Sequence, residues 1–465
     1  MSPRLRRLVA AVAAIAVAAV CLASCSPAKA TTLTFRLWDP QVADAYRESF
    51  RLFEEETGIS VETVVVPWGD YAGQLRAYLA SGSADDVFWA NATSVAELAR
   101  ADRILPVAAD QLSAQGSDWV PSVVAQYTLD EQVWGVPQLT DPGIAIIVNE
   151  ELLEAEGLAV ADLERLAWDP GASDDSLRAV ARTLTLDVNG RHPGDAGFDA
   201  ERIVQYGYGA AFDLNGILLP FLASNGAAWQ EGDEFVFASE AGTEALGYVV
   251  GLINAHVSPN AADTNPPPGG DFIRDQFLQG KVALFQTGAY KLSNVEELAP
   301  FEWTIVPLLM GPAGRISVTN GVVAAANAAS TQPVAQRKLL EWLGSTSGAR
   351  KIGESGATMP AVLSAQGLYL EYWADHGVNL APMLDVLENG AIQPPQGDQY
   401  QASADAMQPT TRCFLDARRS TRASKLRKTS RTRRCEVGSL VPTRWGRPWD
   451  TECRRHRSGS ATEFA

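Results

Sequence analysis

Residues Leu33–Val66 read LTFRLWDPQVADAYRESFRLFEEETGISVETVVV. The run Leu33-Thr34-Phe35-Arg36-Leu37 alternates apolar and polar, the two-residue rhythm of a strand. Tyr46, Phe50 and Phe53 follow at spacings of four and three on a charged background, which puts them on one face of a helix. Gly58 stands just past its end, where a left-handed cap favours glycine. Ser60–Val66 is β-branched and predicts a second strand. Outward from this unit the alternation continues. Tyr71, Leu75, Tyr78 and Leu79 mark a helix stopped by Gly82, and Asp86–Trp89 is a short buried strand. Ser94 with Glu97 three residues on is a capping-box pattern for the next helix. Strand and helix in turn argue for α/β layers around a mostly parallel sheet.

The rhythm recurs downstream. Ile144–Val148 is a strand leading to a helix ended by Gly157. Glu240–Ala255 is a helix, and Phe272–Leu278 is another, ended by Gly280 before the strand Val282–Phe285. Phe301–Leu309 is extended, and Thr331 caps a long helix with Pro333 in its first turn. The loop 266–270, Pro-Pro-Pro-Gly-Gly, is a surface connection, because the alternation resumes at once. No internal repeat is visible.

The chain has 465 residues, enough for two or three domains, and 20% of them are charged. Its formal charge of −17 hides an uneven distribution. Residues 410–465 hold 15 Lys and Arg against 5 Asp and Glu, whereas residues 26–409 hold 20 against 50. So acidic a body argues against nucleic-acid binding, which relies on cations facing phosphates. Arg4, Arg6 and Arg7 precede an apolar run, Leu8–Leu22, that is shorter than a membrane span and reads as a secretory signal over residues 1–24. It ends in Leu22-Ala23-Ser24-Cys25, which looks like a bacterial lipobox with Cys25 as the lipidated first residue of a tether over 25–30. The alternative is a plain signal peptide with Cys25 beside its cleavage site. Cys413, Cys435 and Cys453 all lie in the basic tail, so the acidic body needs neither disulfide nor thiolate site.

Enzyme signatures are sparse. His192, His256 and His376 are not spaced for zinc, and neither a nucleophile elbow nor a phosphate loop occurs. A secreted glycosidase needs only two suitably separated carboxylates, so it remains the enzymatic alternative.

Five phrases carry a family resemblance. The first is Leu33–Trp38 with the helix ending Phe53-Glu54-Glu55-Glu56-Thr57-Gly58-Ile59. The second is Leu79–Val87, with Asp85 where the family has proline. The third is Trp134-Gly135-Val136-Pro137, then Asp141, then Val148-Asn149, with Val148 in place of the family's tyrosine. The fourth is Gly280–Phe285 with Gly288 and Tyr290, Tyr290 standing for a tryptophan. The fifth is Gly321–Ala326, then Gln336–Gly344, then Gly356–Pro360. In this order they resemble the sugar-binding solute-binding proteins of bacterial ABC importers, the family of the maltose-binding protein, over about Leu33–Pro395.

The resemblance implies a periplasmic-binding-protein-like fold of type II, two α/β lobes joined by a multi-strand hinge. Lobe one would be residues 31–139 with 309–355, and lobe two 140–308 with 356–409. The crossings would be Pro137–Pro142, Pro307 and Gly356–Pro360. It further implies a monomer on the outer face of the cell membrane that captures sugar by hinge closure and hands it to permease subunits, with no cofactor, no metal and no turnover.

Sugars present an apolar ring face and a rim of hydroxyls, so they call for aromatic plates and carboxylate or amide partners. The candidates are Trp38 and Asp39 after the first strand, Trp89 and Asn91 ending the third, Asp141 in the crossing, Tyr290, Asn320 and Trp373. Each has a packing or turn-forming alternative, strongest for Trp89 in its apolar run, for Asp141 before Pro142 and for Trp373 on an amphipathic helix. Trp68 and Tyr71 read as helix-start packing.

After Pro409 the periodicity collapses into Arg-rich text such as Arg431-Thr432-Arg433-Arg434. Two origins fit: a basic tail contacting anionic envelope polymers, or a shifted reading frame of a GC-rich gene.

Overall fold

The computed structural model describes residues 31–210, 213–232, 234–260 and 270–395. The secretory segment, Cys25 and the basic tail with its three cysteines lie outside the described residues. Among the described residues no helix is long and apolar enough to cross a membrane.

Two sheets organise the chain. The strands are β1 Thr32–Leu37, β2 Ser60–Val65, β3 Val87–Asn91, β4 Ile104–Leu105, β5 Val136–Thr140, β6 Ile144–Asn149, β7 Leu186–Asp187, β8 Ile203–Gly209, β9 Val282–Gly288, β10 Trp303–Val306 and β11 Gly321–Asn327. The first sheet runs β2-β1-β3-β11-β4, with β5 also on β11. The second runs β10-β6-β9-β8-β7. Each has its own core. Phe35, Phe50, Phe53, Phe88 and Val323 fill the first lobe. Ile146, Trp168, Leu218, Phe221 and Leu284 fill one face of the second sheet, and Ile147, Phe277, Phe285 and Tyr369 the other. This is the expected two-lobe α/β architecture.

The sheets are mixed where a mostly parallel arrangement is expected. β1 runs parallel to β2 and β3, and β8 parallel to β9. β11 is antiparallel to β3, β4 and β5, and β6 is antiparallel to β9 and β10. Strand periodicity carries no direction, so the sense of pairing cannot be read from it.

Local signals hold in most places. The helix Pro40–Thr57 is capped by Asp39, whose carboxylate accepts from the Gln41 and Val42 amides, and it ends at Gly58 with φ of 71°. Ser94 is not a cap: its helix already starts at Ala92, with Asn91 at the N-cap, and the Ser94 hydroxyl bonds back to Asn91. The cap of Pro333–Leu343 is Gln332, one residue beyond Thr331. The second crossing also moves. Leu309 and Val318 are buried in the second lobe's core, and Met310 bridges to Ala167. The chain therefore returns to the first sheet at Thr319–Asn320, well after Pro307.

Candidate functional site

Register brings the site together. Asn91 ends β3 opposite Val322 of β11, and Thr140 ends β5 opposite Gly321. The next residue in each chain direction is then Asp141 after β5 and Asn320 before β11, and the Asp141 amide donates to the Asn320 carbonyl at 2.7 Å. Trp38 and Asp39 follow the parallel strand β1 at the same end. In the second lobe Tyr290 follows β9, and Asp213 follows its parallel neighbour β8. Ligands of open α/β folds bind at this carboxyl-terminal strand edge.

Contacts gather several side chains at this edge. A Cβ added to Gly288 would lie 2.2 Å from Tyr290 Cε1 and 2.9 Å from Asp141 Oδ2, so both side chains close over that glycine. A Cβ on Gly216 would lie 3.1 Å from Asp213 Oδ2 and 3.5 Å from Tyr290 Oη. Asp141, Asp213 and Tyr290 are thus one cluster. Asp213 Oδ1 accepts from the Asn215 and Gly216 amides, and Asp141 Oδ1 from the Gly143 amide at 3.2 Å. Lys291 Nζ lies 5.9 Å from the Tyr290 ring centre and donates to Asp271 at 2.5 Å. At the mouth, Gln41 Nε2 donates to Glu297 Oε2 at 2.6 Å while Asn294 Nδ2 donates to Gln41 Oε1 at 2.8 Å.

The chain matches the family described as bacterial extracellular solute-binding proteins over residues 39–350. It belongs to that family. It is 22% identical over 364 residues to maltodextrin-binding protein MdxE of Bacillus subtilis (strain 168), covering 77% of this chain and 81% of that one. The crystal structure of UspC from M. tuberculosis is similar at 44% identity and a TM-score of 0.65, over 83% of this chain and 95% of UspC. The ABC substrate-binding protein Lmo0181 from Listeria monocytogenes, in complex with cycloalternan, shares the fold at a TM-score of 0.71 and 18% identity, over 84% and 94%. MdxE and Lmo0181 are named as binding proteins, and the matches give no support to the glycosidase alternative.

In this solute-binding protein the candidate residues divide. Asp141 and Asn320 touch at the crossing, and Tyr290 packs beside Asp141. Asn320 Oδ1 also accepts from Gln126 Nε2 at 3.1 Å. Asn91 is partly buried and takes the Ser94 hydroxyl bond on its side-chain oxygen. Trp38 is partly buried and makes edge contacts with Trp68, Tyr71 and Trp89 at 4.7–5.1 Å. Asp39 caps the helix with Oδ1.

Two candidates fall into the core instead. Trp89 is 1% exposed, and its Nε1 donates to Tyr46 at 3.2 Å. It is the wall behind Trp38 and offers no free face. Trp373 is fully buried among Trp303, Tyr369 and Tyr372. Both were drawn in by ring chemistry, which core and cleft use equally. Trp68 shifts the other way: 57% exposed at a helix start, it leaves a ring edge-on to Trp38 and open to solvent, while Tyr71 is buried packing as expected.

Asp213 and Lys291 escape the sequence reading. Asp213 carries no local signal beyond its place after a strand, and its role arises from Tyr290, far away in sequence. The signal that could have found it is the strand-end rule applied to β8. Burial sets the electrostatics. It pushes the Asp141 carboxyl up to about 7, assisted by the nearby Asp213 charge and opposed by amide bonds from Gly143 and Ala289. Burial raises Asp213 and Asp39 as well, and Lys291 pulls both back down. The Tyr290 phenol is pushed well above its ordinary range by burial, with both carboxylates adding to the shift, so it serves as a neutral hydroxyl.

Proposed function

We propose that this protein is the exported, lipid-anchored receptor of an ABC importer, and that it captures a sugar or oligosaccharide between its lobes for delivery to a membrane permease. The observation that carries this reading is the cluster of Asp141, Asp213 and Tyr290 beside strand ends of the second sheet, together with the Trp38–Trp68 pair after a strand of the first. Trp68 supplies a flat apolar surface and Trp38 a ring edge for a pyranose. Asp141, Asp213 and Asn320 supply acceptors for its hydroxyls, and Tyr290 a donor. The carbohydrate ligands in the names of MdxE and of the Lmo0181 complex support the ligand class.

The lobes of the proposal are residues 31–140 with 319–355, and 141–318 with 356–395, joined at Asp141–Gly143, Thr319–Asn320 and Gly356–Pro360. Closure is a rigid rotation about these crossings, driven by contacts the ligand makes only when both lobes reach it. Cys25 would hold the mature chain at the membrane by its acyl chains.

A tryptophan-fluorescence titration against a panel of mono- and oligosaccharides, with product analysis of the same samples, tests the reading. The expected result is saturable binding of one sugar class with no turnover. Asp141→Ala and Tyr290→Ala each weaken that binding by about tenfold or more with the fold intact, as measured by circular dichroism. Titrations of both variants that match the wild type sink these assignments.

A further inference from the structure

A second cavity lies apart from the cleft. It has a volume of about 690 Å³ and sits beside β10, the edge strand of the second sheet. Ile305, Met310 and Pro382 line it with apolar surface, and Thr304, Asn379, Arg165, Arg315 and one acid, Glu164, bring polar groups. No residue of the cleft cluster takes part.

Arg315 is the exception among the cations of the described residues. Every other Lys or Arg that is not exposed has a carboxylate in ion-pair contact: Arg36 with Asp85, Arg178 with Asp175, Arg182 with Asp174, Arg274 with Asp275, Lys291 with Asp271 and Lys351 with Glu354. Arg315 has none among the described residues. Its Nη2 donates to the Glu164 main-chain carbonyl at 3.2 Å, and its buried Nε has no acceptor among the described residues. Holding a guanidinium partly out of water without a counter-charge costs stability. Burial accordingly pulls its pKa down. Arg165, exposed on the rim and likewise without an ion pair among the described residues, adds a second positive charge to the same cavity.

We infer that this cavity binds a phosphate-type dianion, free or as the head of a monoester, with the Arg315 fork on the oxyanion, Arg165 as the second charge and the Ile305–Met310–Pro382 surface under any carbon substituent. A guanidinium fork matches two phosphate oxygens, and two guanidinium groups against the one Glu164 carboxylate leave the lining net positive for an anion. The site is independent of the sugar cleft and of whether sugar is the cleft's ligand.

Calorimetric titration of the full chain with inorganic phosphate, in a phosphate-free buffer, tests this. Phosphate held by the Arg-rich residues 410–465 is common to all variants and subtracts. The expected result is a saturable component in the wild type that is absent in Arg315→Gln. Arg315→Lys, which keeps the charge and loses the fork, and Arg165→Gln, on the exposed rim, should each weaken it about tenfold. Glycerol phosphate in solution and phosphatidic acid vesicles then separate the sources. An Arg315-dependent gain with glycerol phosphate alone assigns a soluble ester, and Arg315-dependent flotation with the vesicles assigns a lipid head group. Phosphate isotherms that are the same for wild type, Arg315→Gln and Arg165→Gln overturn the inference.

Discussion

At the scale of single residues, Asp141 links the cleft to pH. Its carboxyl is raised to about 7 chiefly by burial, against about 3.9 for a free aspartate. Below pH 4 it is protonated in both folded and unfolded chains and has no effect on stability. Between about 4 and 7 the unfolded chain releases the proton and the folded one keeps it, so this group's contribution to stability falls as pH rises. Above 7 both are ionised and the penalty stays constant. Asp141→Asn, which cannot ionise, should therefore melt higher than the wild type above pH 7, with the gap closing towards pH 4. Parallel melting curves across that range would contradict the assigned burial. The chemistry changes over the same window, because a protonated Asp141 can donate to a ligand and an ionised one only accepts. Asp141, Tyr290 and Asn320 were legible from the family phrases that hold or adjoin them, and each lies near a strand end. Trp89 and Trp373 were misread because a ring in an apolar run has no mark telling core from plate, and only neighbours such as Tyr46 and Tyr369 decide it.

Two elements show what spacing reveals and what it hides. Gly58 and Gly82 end their helices at φ of 71° and 73°, as their positions in the sequence indicate. Gly207 gives no such signal, yet β8 depends on it. A Cβ there would lie 2.1 Å from the Ala181 carbonyl oxygen, which is the main chain of the helix Ser176–Thr183. Main chain cannot swing aside, so Gly207→Ala should cost about 1–3 kcal/mol or more in chemical denaturation. At Gly288 the obstacle is the Tyr290 ring, which can move. Gly288→Ala should therefore displace Tyr290 and lose ligand affinity by more than its small loss of stability implies. Comparing the melting midpoint with the sugar titration of each variant separates the two outcomes; equal stability losses would refute the distinction. The direction of β11 was likewise hidden, since Gly321–Asn327 is buried along its whole length and reads the same in either sense.

For the whole molecule, the proposed closure predicts that the Gln41 clasp biases the balance between open and closed lobes. It joins the helix start of the first lobe to Asn294 and Glu297 of the second without involving the cluster beneath. At about 1 kcal/mol for an exposed bond pair, removing it shifts the equilibrium about fivefold towards the open form. Gln41→Ala should then show a larger radius of gyration without ligand by X-ray scattering and a weaker apparent affinity by about the same factor. An unchanged radius with unchanged affinity would mean the clasp carries no bias.

The interleaved chain path also orders events in time. β11 is the strand on which β3, β4 and β5 all meet, yet it emerges only after the whole of the second sheet. When the chain is threaded amino end first, the sheet that begins the sequence is the last to be completed. Its early strands stay without their central partner while some 180 further residues arrive, from β5 at Val136–Thr140 to β11 at Gly321–Asn327. That delay suits the proposed export, in which the chain crosses a membrane before it folds.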